Sequence, residues 1–405
     1  MVPERRITRR SCITIRLDQV QYALMMHIQM FADTAPPLYG GAGQQALTLA
    51  TYLSRKNLQV DLLARQKRRA EPANCVTFAR PYIPNQTVSS LHFAVCCFLR
   101  ALLSRADVLH IHGGYYYAAA VCLAARIRRK PVVLKFTLVG SDDPATLLHH
   151  KFCGIPVGSA MLRIFRSVDL VIAISSELQD LCSKYAVGKR IVRLSNGVDM
   201  SPVELPGGLD SSHAQLASDQ FQGWRRGSFK VVFLGDVCER KGARILLDSW
   251  AQVRDEHPDA TLALVGPWSL ESNASSGSAV GVYRFGSVPP RVARFILSEA
   301  DVFVLPSFAE GLPNSVIEAM SLGVPCVVSD LPVHRELLSE LGIYTNVSDA
   351  SSLASGLCIG FERASSLDFR SRIKQASLPF SFENISQQYI NLYLDVCRAT
   401  GGVNG

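Results

Sequence analysis

The 405-residue chain contains no run of about twenty uninterrupted apolar residues, so a membrane-spanning helix is not expected. The longest candidate, Leu91-His-Phe-Ala-Val-Cys-Cys-Phe-Leu-Arg-Ala-Leu-Leu103, is too short and carries Arg100; it reads as a buried helix or an interfacial one. Eleven cysteines occur without a C-x-x-C pair or regular spacing, and several lie inside apolar segments such as Val95-Cys-Cys-Phe98. A disulfide framework is thereby disfavoured, and reduced core thiols of a cytoplasmic protein are expected. No His/Cys cluster has ligand spacing, and no D-x-D pair falls in a plausible loop. The G-x-G-x-x-G fingerprint is missing too. Gly40-Gly-Ala-Gly43 lacks the final glycine in register, and the following strand, Gln59-Val-Asp-Leu-Leu-Ala-Arg65, does not end in an acid, which disfavours a nicotinamide cofactor. No helix-turn-helix, zinc or aromatic-stacking signature accompanies the basic runs, so nucleic acid is a poor partner. Residues 1–20 are a basic lead-in, expected to be disordered; Met1 to Arg16 has no apolar h-region of a secretory signal.

What is present is a chain too long for one core, with 48% hydrophobic residues, and two α/β domains are the default. Ala23-Leu-Met-Met-His-Ile28 reads as the first strand, followed by the glycine-rich loop Pro36 to Gly43 and a helix at Gln44. Further strands are read at Asp107–His112, Pro131–Phe136, Leu170–Ile174 and Arg190–Leu194, separated by helix-length segments. That alternation means a doubly wound parallel sheet. The cluster at Gly40 to Gly43 lets backbone approach a diphosphate or sugar, with Gly41 and Gly43 as contacts; a plain tight turn is the simpler reading. Residues 205–228, rich in Gly, Ser, Asp and Gln, look like an exposed linker.

Charge is uneven. Residues 1–200 hold 26 Lys and Arg against 12 Asp and Glu, a balance of +14, whereas the rest of the chain carries −6. Runs such as Arg65-Gln-Lys-Arg-Arg69 and Arg126-Ile-Arg-Arg-Lys130, with Arg163 and Arg166, suit an anionic surface, although solvated helix faces explain them equally.

The sharpest motif is Ser307-Phe-Ala-Glu-Gly-Leu-Pro-Asn-Ser-Val-Ile-Glu-Ala-Met320, directly after the apolar run Val302-Phe-Val-Leu-Pro306. The run reads as a buried parallel strand, Gly311 to Pro313 as a turn, and Asn314 or Ser315 as the cap of a helix. Backbone N–H groups there, at Gly311 and Leu312, suit a diphosphate. Glu310 can then reach a sugar hydroxyl, and Glu318, one turn into the helix, a ribose diol. The bland reading of Glu318 is a solvated first-turn carboxylate.

In company with its neighbours the motif resembles the retaining glycosyltransferases of family 4, whose fold is GT-B, and the resemblance covers nearly the whole chain. Strands at Lys230-Val-Val-Phe-Leu-Gly235 and Thr261-Leu-Ala-Leu-Val-Gly266 precede it, and Gly323-Val-Pro-Cys-Val-Val-Ser-Asp330 follows it, in the family's order. Glu239-Arg-Lys-Gly242 resembles the segment whose lysine neutralises the donor diphosphate, which maps onto Lys241; an ordinary helix-start cation is the alternative. The resemblance implies two Rossmann-like domains facing a cleft: an acceptor-binding domain at 21–200 ending near Asn196-Gly-Val-Asp199, a linker region at 201–228, a nucleotide-sugar domain at 229–380, and a returning helix at 381–405. It implies a nucleotide-diphosphate sugar as donor, no cofactor and no metal, and a saccharide or lipid-diphosphate-linked acceptor. With the charge asymmetry, it also suggests work on surface polysaccharide in the cytoplasm, peripheral to the inner face of the membrane.

In the implied mechanism Lys241 and the loop amides near Gly41 and Gly311 stabilise the leaving diphosphate, and Glu310 holds the sugar. Two departures qualify it. The family's histidine after the strand at Val132 is replaced by Thr137-Leu-Val-Gly-Ser-Asp-Asp143, where Asp142 could orient an acceptor hydroxyl or cap the helix before Pro144. Asp236 stands where the family places an arginine beside the phosphates, and Arg240 is the candidate replacement charge. His110 and His112 are acceptor-side acid or base candidates, or satisfied buried imidazoles. Those departures motivate a catalytically silent GT-B subunit as the competing reading; an epimerase on the same fold has no acid/base pair to support it.

Overall fold

The structure, a computed structural model, describes residues 26–34, 41–65, 76–80, 86–152, 154–203, 218–270 and 280–401. The basic lead-in, most of the glycine-rich loop before Gly41, residues 66–69 of the first basic run, and most of the expected linker lie outside the described residues. The chain divides into two units, one of residues 1–197 with 382–405 and the other of residues 198–381.

The first unit is built on a seven-stranded sheet. Its strands in chain order are β1 His27–Thr34, β2 Gln59–Arg65, β3 Val76–Arg80, β4 Val108–His112, β5 Val132–Phe136, β6 Leu170–Ala173 and β7 Ile191–Arg193, and in space they run β3-β2-β1-β4-β5-β6-β7. All pairings are parallel. Strands covered on both faces are mostly apolar, as in Val132-Val-Leu-Lys-Phe136, which is buried at every position with Lys135 as its one polar residue. Helix Gly41–Arg55 presents Ala46, Leu49, Ala50 and Leu53 to the sheet at helical spacing. The helix Phe382–Ala399 completes the same core with Phe382, Ile385, Tyr389, Ile390, Tyr393 and Val396, and Phe382 stacks on Tyr52 with ring centroids 5.0 Å apart. Each such fully buried side chain contributes about 1.5–3 kcal/mol.

The second unit carries β8 Phe229–Leu234, β9 Ala260–Val265, β10 Val282–Gly286, β11 Val302–Leu305, β12 Cys326–Ser329 and β13 Ile343–Thr345, in the order β10-β9-β8-β11-β12-β13 and again all parallel. Both sheets therefore reverse strand order once, between β1 and β4 and between β8 and β11. Loops diverge from the carboxyl ends of the strands at such a reversal, and ligands of open α/β sheets bind there.

Several expectations are corrected. Among the described residues the first strand is His27–Thr34, with Ala23 to Met25 of the expected strand outside them, and the following helix is Gly41–Arg55, which already includes Gly41 ahead of the expected start at Gln44. Gly41 and Gly43 thus sit in a helical first turn. The end of the expected linker is instead a helix, Asp219–Arg225, because Phe221 and Trp224 bury into the second unit and Ser218 caps its start.

Candidate active site

In the second unit, β8 and β11 deliver two loops to the reversal point. After β8 the chain makes a 3-10 turn, Glu239–Lys241, closed by Gly242 at φ 71°. A Cβ on Gly242 would lie 1.9 Å from the carbonyl oxygen of Pro306, so only glycine lets the first loop seat against the second. Two bonds stitch them together: Phe308 N donates to Arg240 O at 2.9 Å, and the Arg240 guanidinium to Ala309 O at 2.9 Å.

That seating brings Lys241 and Glu310 together. Lys241 Nζ donates to Glu310 Oε1 at 2.6 Å, Ser307 Oγ donates to the same oxygen at 2.6 Å, and Arg240 stands 4.0 Å from Oε2. The Glu310 side chain is 4% exposed and that of Lys241 14%. Two further ammonium protons of Lys241 remain for a ligand. Below the pair, Ser329 Oγ donates to Ser307 O at 2.6 Å, and His334 Nδ1 sits 2.7 Å from Ser329 O. His334 is fully buried, its Nε2 has no partner among the described residues, and burial lowers its pKa. The sequence reading missed His334, whose only signal was a histidine just past β12.

Gly311, Leu312 and Pro313 are buried, and the helix Asn314–Ser321 follows with Pro313 in the cap position. Proline offers no side-chain cap, so the expected capping by Asn314 or Ser315 is corrected: both are already helical. Glu318 is not in the first turn and is not a solvated carboxylate. It is partly buried, makes no side-chain hydrogen bond among the described residues, and burial pushes its carboxyl up to about 7 against the pull of Arg294. Arg294 itself holds the chain after the domain boundary, donating to Asp199 O and, at 2.7 Å, to Ser201 O. Asp236 is engaged by Ser269 Oγ at 2.8 Å.

In the first unit the sequence candidates fall into two groups. Asp142 is fully buried and accepts from Thr137 N, Thr137 Oγ1, Leu138 N and Gly114 N at 2.6–3.1 Å; burial nonetheless raises its carboxyl to about 6. With its oxygens turned to the chain, it organises the loop after β5 and presents no oxygen for an acceptor hydroxyl. The helix cap before Pro144 is Asp143, which accepts from Ala145 N and Thr146 N. The second group is a buried polar cluster at the carboxyl ends of β4 and β5. His110 Nδ1 lies 2.6 Å from Tyr393 Oη and its ring centroid 4.3 Å from that of His112, while Lys135 Nζ donates to Asn196 Oδ1 at 2.7 Å. These are not satisfied imidazoles: His110 Nε2 and both nitrogens of His112 have no partner among the described residues. Burial and the neighbouring Lys135 keep both rings neutral, and burial lowers Lys135 to about 7. Gln45, another residue without a sequence signal, pairs its amide with both backbone groups of Gly197.

Comparison with known proteins agrees with this geometry. Residues 39–201 match the family described as Glycosyltransferase Family 4, and residues 228–359 the family described as Glycosyl transferases group 1. The chain is 29% identical to the phosphatidyl-myo-inositol mannosyltransferase of Mycobacterium leprae, over 82% of this chain and 86% of that protein. It is 26% identical to the Mycolicibacterium smegmatis protein of the same name, over 92% and 95%. Among solved structures, a sucrose-phosphate synthase from Thermosynechococcus elongatus superposes with a TM-score of 0.68 at 18% identity, covering 92% of this chain and 100% of its own. Anabaena HepE, in complex with UDP and glucose, gives a TM-score of 0.67 at 20% identity, over 91% and 99%. The chain belongs to glycosyltransferase family 4 and has the GT-B architecture.

Proposed function

We propose that the protein transfers a hexosyl group from a nucleotide-diphosphate sugar to a saccharide or lipid-linked saccharide acceptor, with retention at the anomeric carbon, in the assembly of a surface polysaccharide. The observation that carries this reading is the convergence of Lys241, Arg240 and Glu310 at one strand-order reversal, with the carboxyl of Glu318, which makes no hydrogen bond among the described residues, on the helix beyond. Lys241 and Arg240 neutralise the diphosphate, and the amides at Gly311 and Leu312 add donors at the helix start. Glu318 accepts from the ribose diol. Glu310, fixed by Ser307 and Lys241, accepts from a sugar hydroxyl. As the glycosidic bond breaks, charge grows on the leaving phosphate, and the fixed cations stabilise that state more than the ground state. The departing oxygen takes the acceptor proton, so the charge balance needs no metal.

Asp142 acts by holding the loop after β5, while Gly41 and Gly43 open the helix of the first unit toward the carboxyl edge of its sheet. Support for the acceptor class comes from the names of the relatives, which include phosphatidyl-myo-inositol mannosyltransferases. No helix among the described residues is long and apolar enough to cross a membrane, and a membrane-borne acceptor is met from the cytoplasmic surface. The test is release of UDP or GDP from linked hexoses, with and without phosphatidylinositol or lipid-diphosphate saccharides, in the presence of a chelator. Acceptor-dependent release from one donor is expected. Tight donor binding with no release under any acceptor would return the protein to the silent-subunit reading.

A further inference from the structure

Helix Gln86–Leu103 is amphipathic in an unusual sense. Its inner face, Ser89, Phe93, Cys97 and Ala101 at intervals of four, is buried. Its outer face at the same interval is also apolar: Leu91, Val95 and Leu99 are 54%, 49% and 49% exposed, and Leu103 76%. The single charge of the helix, Arg100, turns inward to Gln29 Oε1 at 2.8 Å and Asp61 Oδ2 at 2.7 Å. The outer face from Leu91 to Leu103 is therefore a row of hydrocarbon about 18 Å long at 1.5 Å rise per residue, without a charge on it. Solvated faces of soluble helices are polar, and a contiguous apolar row marks an interaction surface.

The adjoining helix Tyr116–Arg128, packed alongside it, carries two further exposed apolar residues, Leu123 and Ile127. Each of the two helices feeds a strand, β4 or β5, and those strands are parallel neighbours, so both helices end at the amino edge of the sheet, away from the carboxyl edge. At that end the charge changes abruptly. Arg105, Arg126, Arg128 and Arg129 are exposed, and a cavity of about 460 Å³ is lined by Arg126, Arg129, Lys130 and Lys189 against one acid, Asp169. Asp169 is already engaged by Lys189 Nζ at 2.7 Å and Val132 N at 2.9 Å. Lys130 Nζ donates to Ala106 O at 2.6 Å, whereas the guanidinium groups of Arg126 and Arg129 make no hydrogen bond among the described residues. The cavity is thus cationic with unspent donors.

We propose that this face is the docking surface for an anionic lipid bilayer, with Leu91, Val95, Leu99 and Leu103 seated at the acyl boundary and the Arg126/Arg129 cavity taking a lipid phosphate. An apolar row edged by cations matches the two layers of a membrane surface, and the helix is held flat by its buried inner face, lying on the bilayer instead of crossing it. The inference deepens the reading of a membrane-borne acceptor, and it is measured without turnover so that either can fail alone.

The experiment is co-sedimentation of the full-length protein with vesicles of phosphatidylcholine alone and of equal parts phosphatidylcholine and phosphatidylglycerol. Binding to the mixed vesicles only is expected. Leu91→Glu/Leu99→Glu should weaken it at least tenfold, and Arg126→Ala/Arg129→Ala about twentyfold, since each surface cation is worth about fivefold. Both variants should keep the wild-type melting temperature and turnover on a soluble acceptor. Equal binding by the variants, or no binding by the wild type, overturns the proposal. So does competition by millimolar inorganic phosphate without vesicle binding, which would make the cavity a site for a soluble anion. A concentration-dependent dimer abolished by Leu91→Glu/Leu99→Glu would put a second copy of the chain on the face, and would overturn it as well.

Discussion

Lys241 Nζ and Glu310 Oε1 are 2.6 Å apart, on different loops of the second unit, and both side chains are nearly buried. Removing one partner of a buried pair leaves the other charge uncompensated, at a cost of about 3–5 kcal/mol. Lys241→Met and Glu310→Gln should each lower the urea midpoint, and the double variant should recover much of the loss. Turnover should behave differently. Lys241→Met is expected to lose about 10²–10³ in kcat, as for other transition-state charge stabilisers, with no recovery in the double variant. Recovered turnover would make the pair purely structural.

Glu318 provides a pH signature for donor binding. Its carboxyl lies near 7 through burial, so it is largely protonated at pH 6 and ionised at pH 8. Only the ionised form accepts freely from two hydroxyls. Nucleotide affinity should rise with pH across this range, by no more than about tenfold per unit. Glu318→Gln should bind more weakly and lose the slope. A titration calorimetry series in which the variant keeps the slope would remove Glu318 from the site.

The buried histidines of the first unit act on stability. Their folded-state pKa values are lowered, so the native chain keeps them neutral while the unfolded chain takes up protons below its ordinary value of 6.5. The stability they confer is whole above 6.5 and is lost as pH falls below it, by up to about 1.4 kcal/mol per unit for each ring. Lys135 and Tyr393 face His110, so the comparison is made between wild type and His110→Phe/His112→Phe. The difference in unfolding free energy should shift in favour of the variant between pH 6.5 and 5. A constant difference would mean that the rings titrate normally.

Gly242 separates conformational cost from steric cost. At φ 71°, an alanine pays about 1–2 kcal/mol for the left-handed region, and its Cβ also overlaps Pro306 O. Gly140 has a comparable φ of 80° with nothing within 4 Å of its Cβ position. Gly242→Ala should therefore destabilise well beyond Gly140→Ala and lower turnover by displacing Lys241. Equal melting temperatures for the two would mean that the loops are not seated on each other.

What was legible in the sequence follows from the range of the forces involved. Val302 to Leu305 and Cys326 to Val328 declare themselves because a strand buried on both faces is mostly apolar, and Gly311 to Pro313 because that turn cannot extend a strand. The edge strands Val76–Arg80 and Ile343–Thr345 are short and carry little such pattern. Which of Asp142 and Asp143 caps the helix was not readable, since the choice is made by Gly114 and Thr137, which call Asp142 inward. The desolvation of Glu318 and the Ser307–Ser329–His334 network depend on what the fold places around them, and no local spacing encodes that.

The helix Phe382–Ala399 belongs to the core of the unit that opens the chain, yet it is separated from the rest of that unit by the whole of Val198–Ser381. During synthesis at 5–20 residues per second, the first sheet waits about 10–40 s for its last helix. Until then Tyr52 lacks the Phe382 ring that stacks on it and His110 the Tyr393 hydroxyl that meets it in the finished protein. The second unit, continuous in sequence, has all its residues before the first does. A chain whose synthesis stopped after Ser381 would have every residue of the second unit and a first unit still lacking its last helix, and it is the uncovered first unit that a chaperone would be expected to bind.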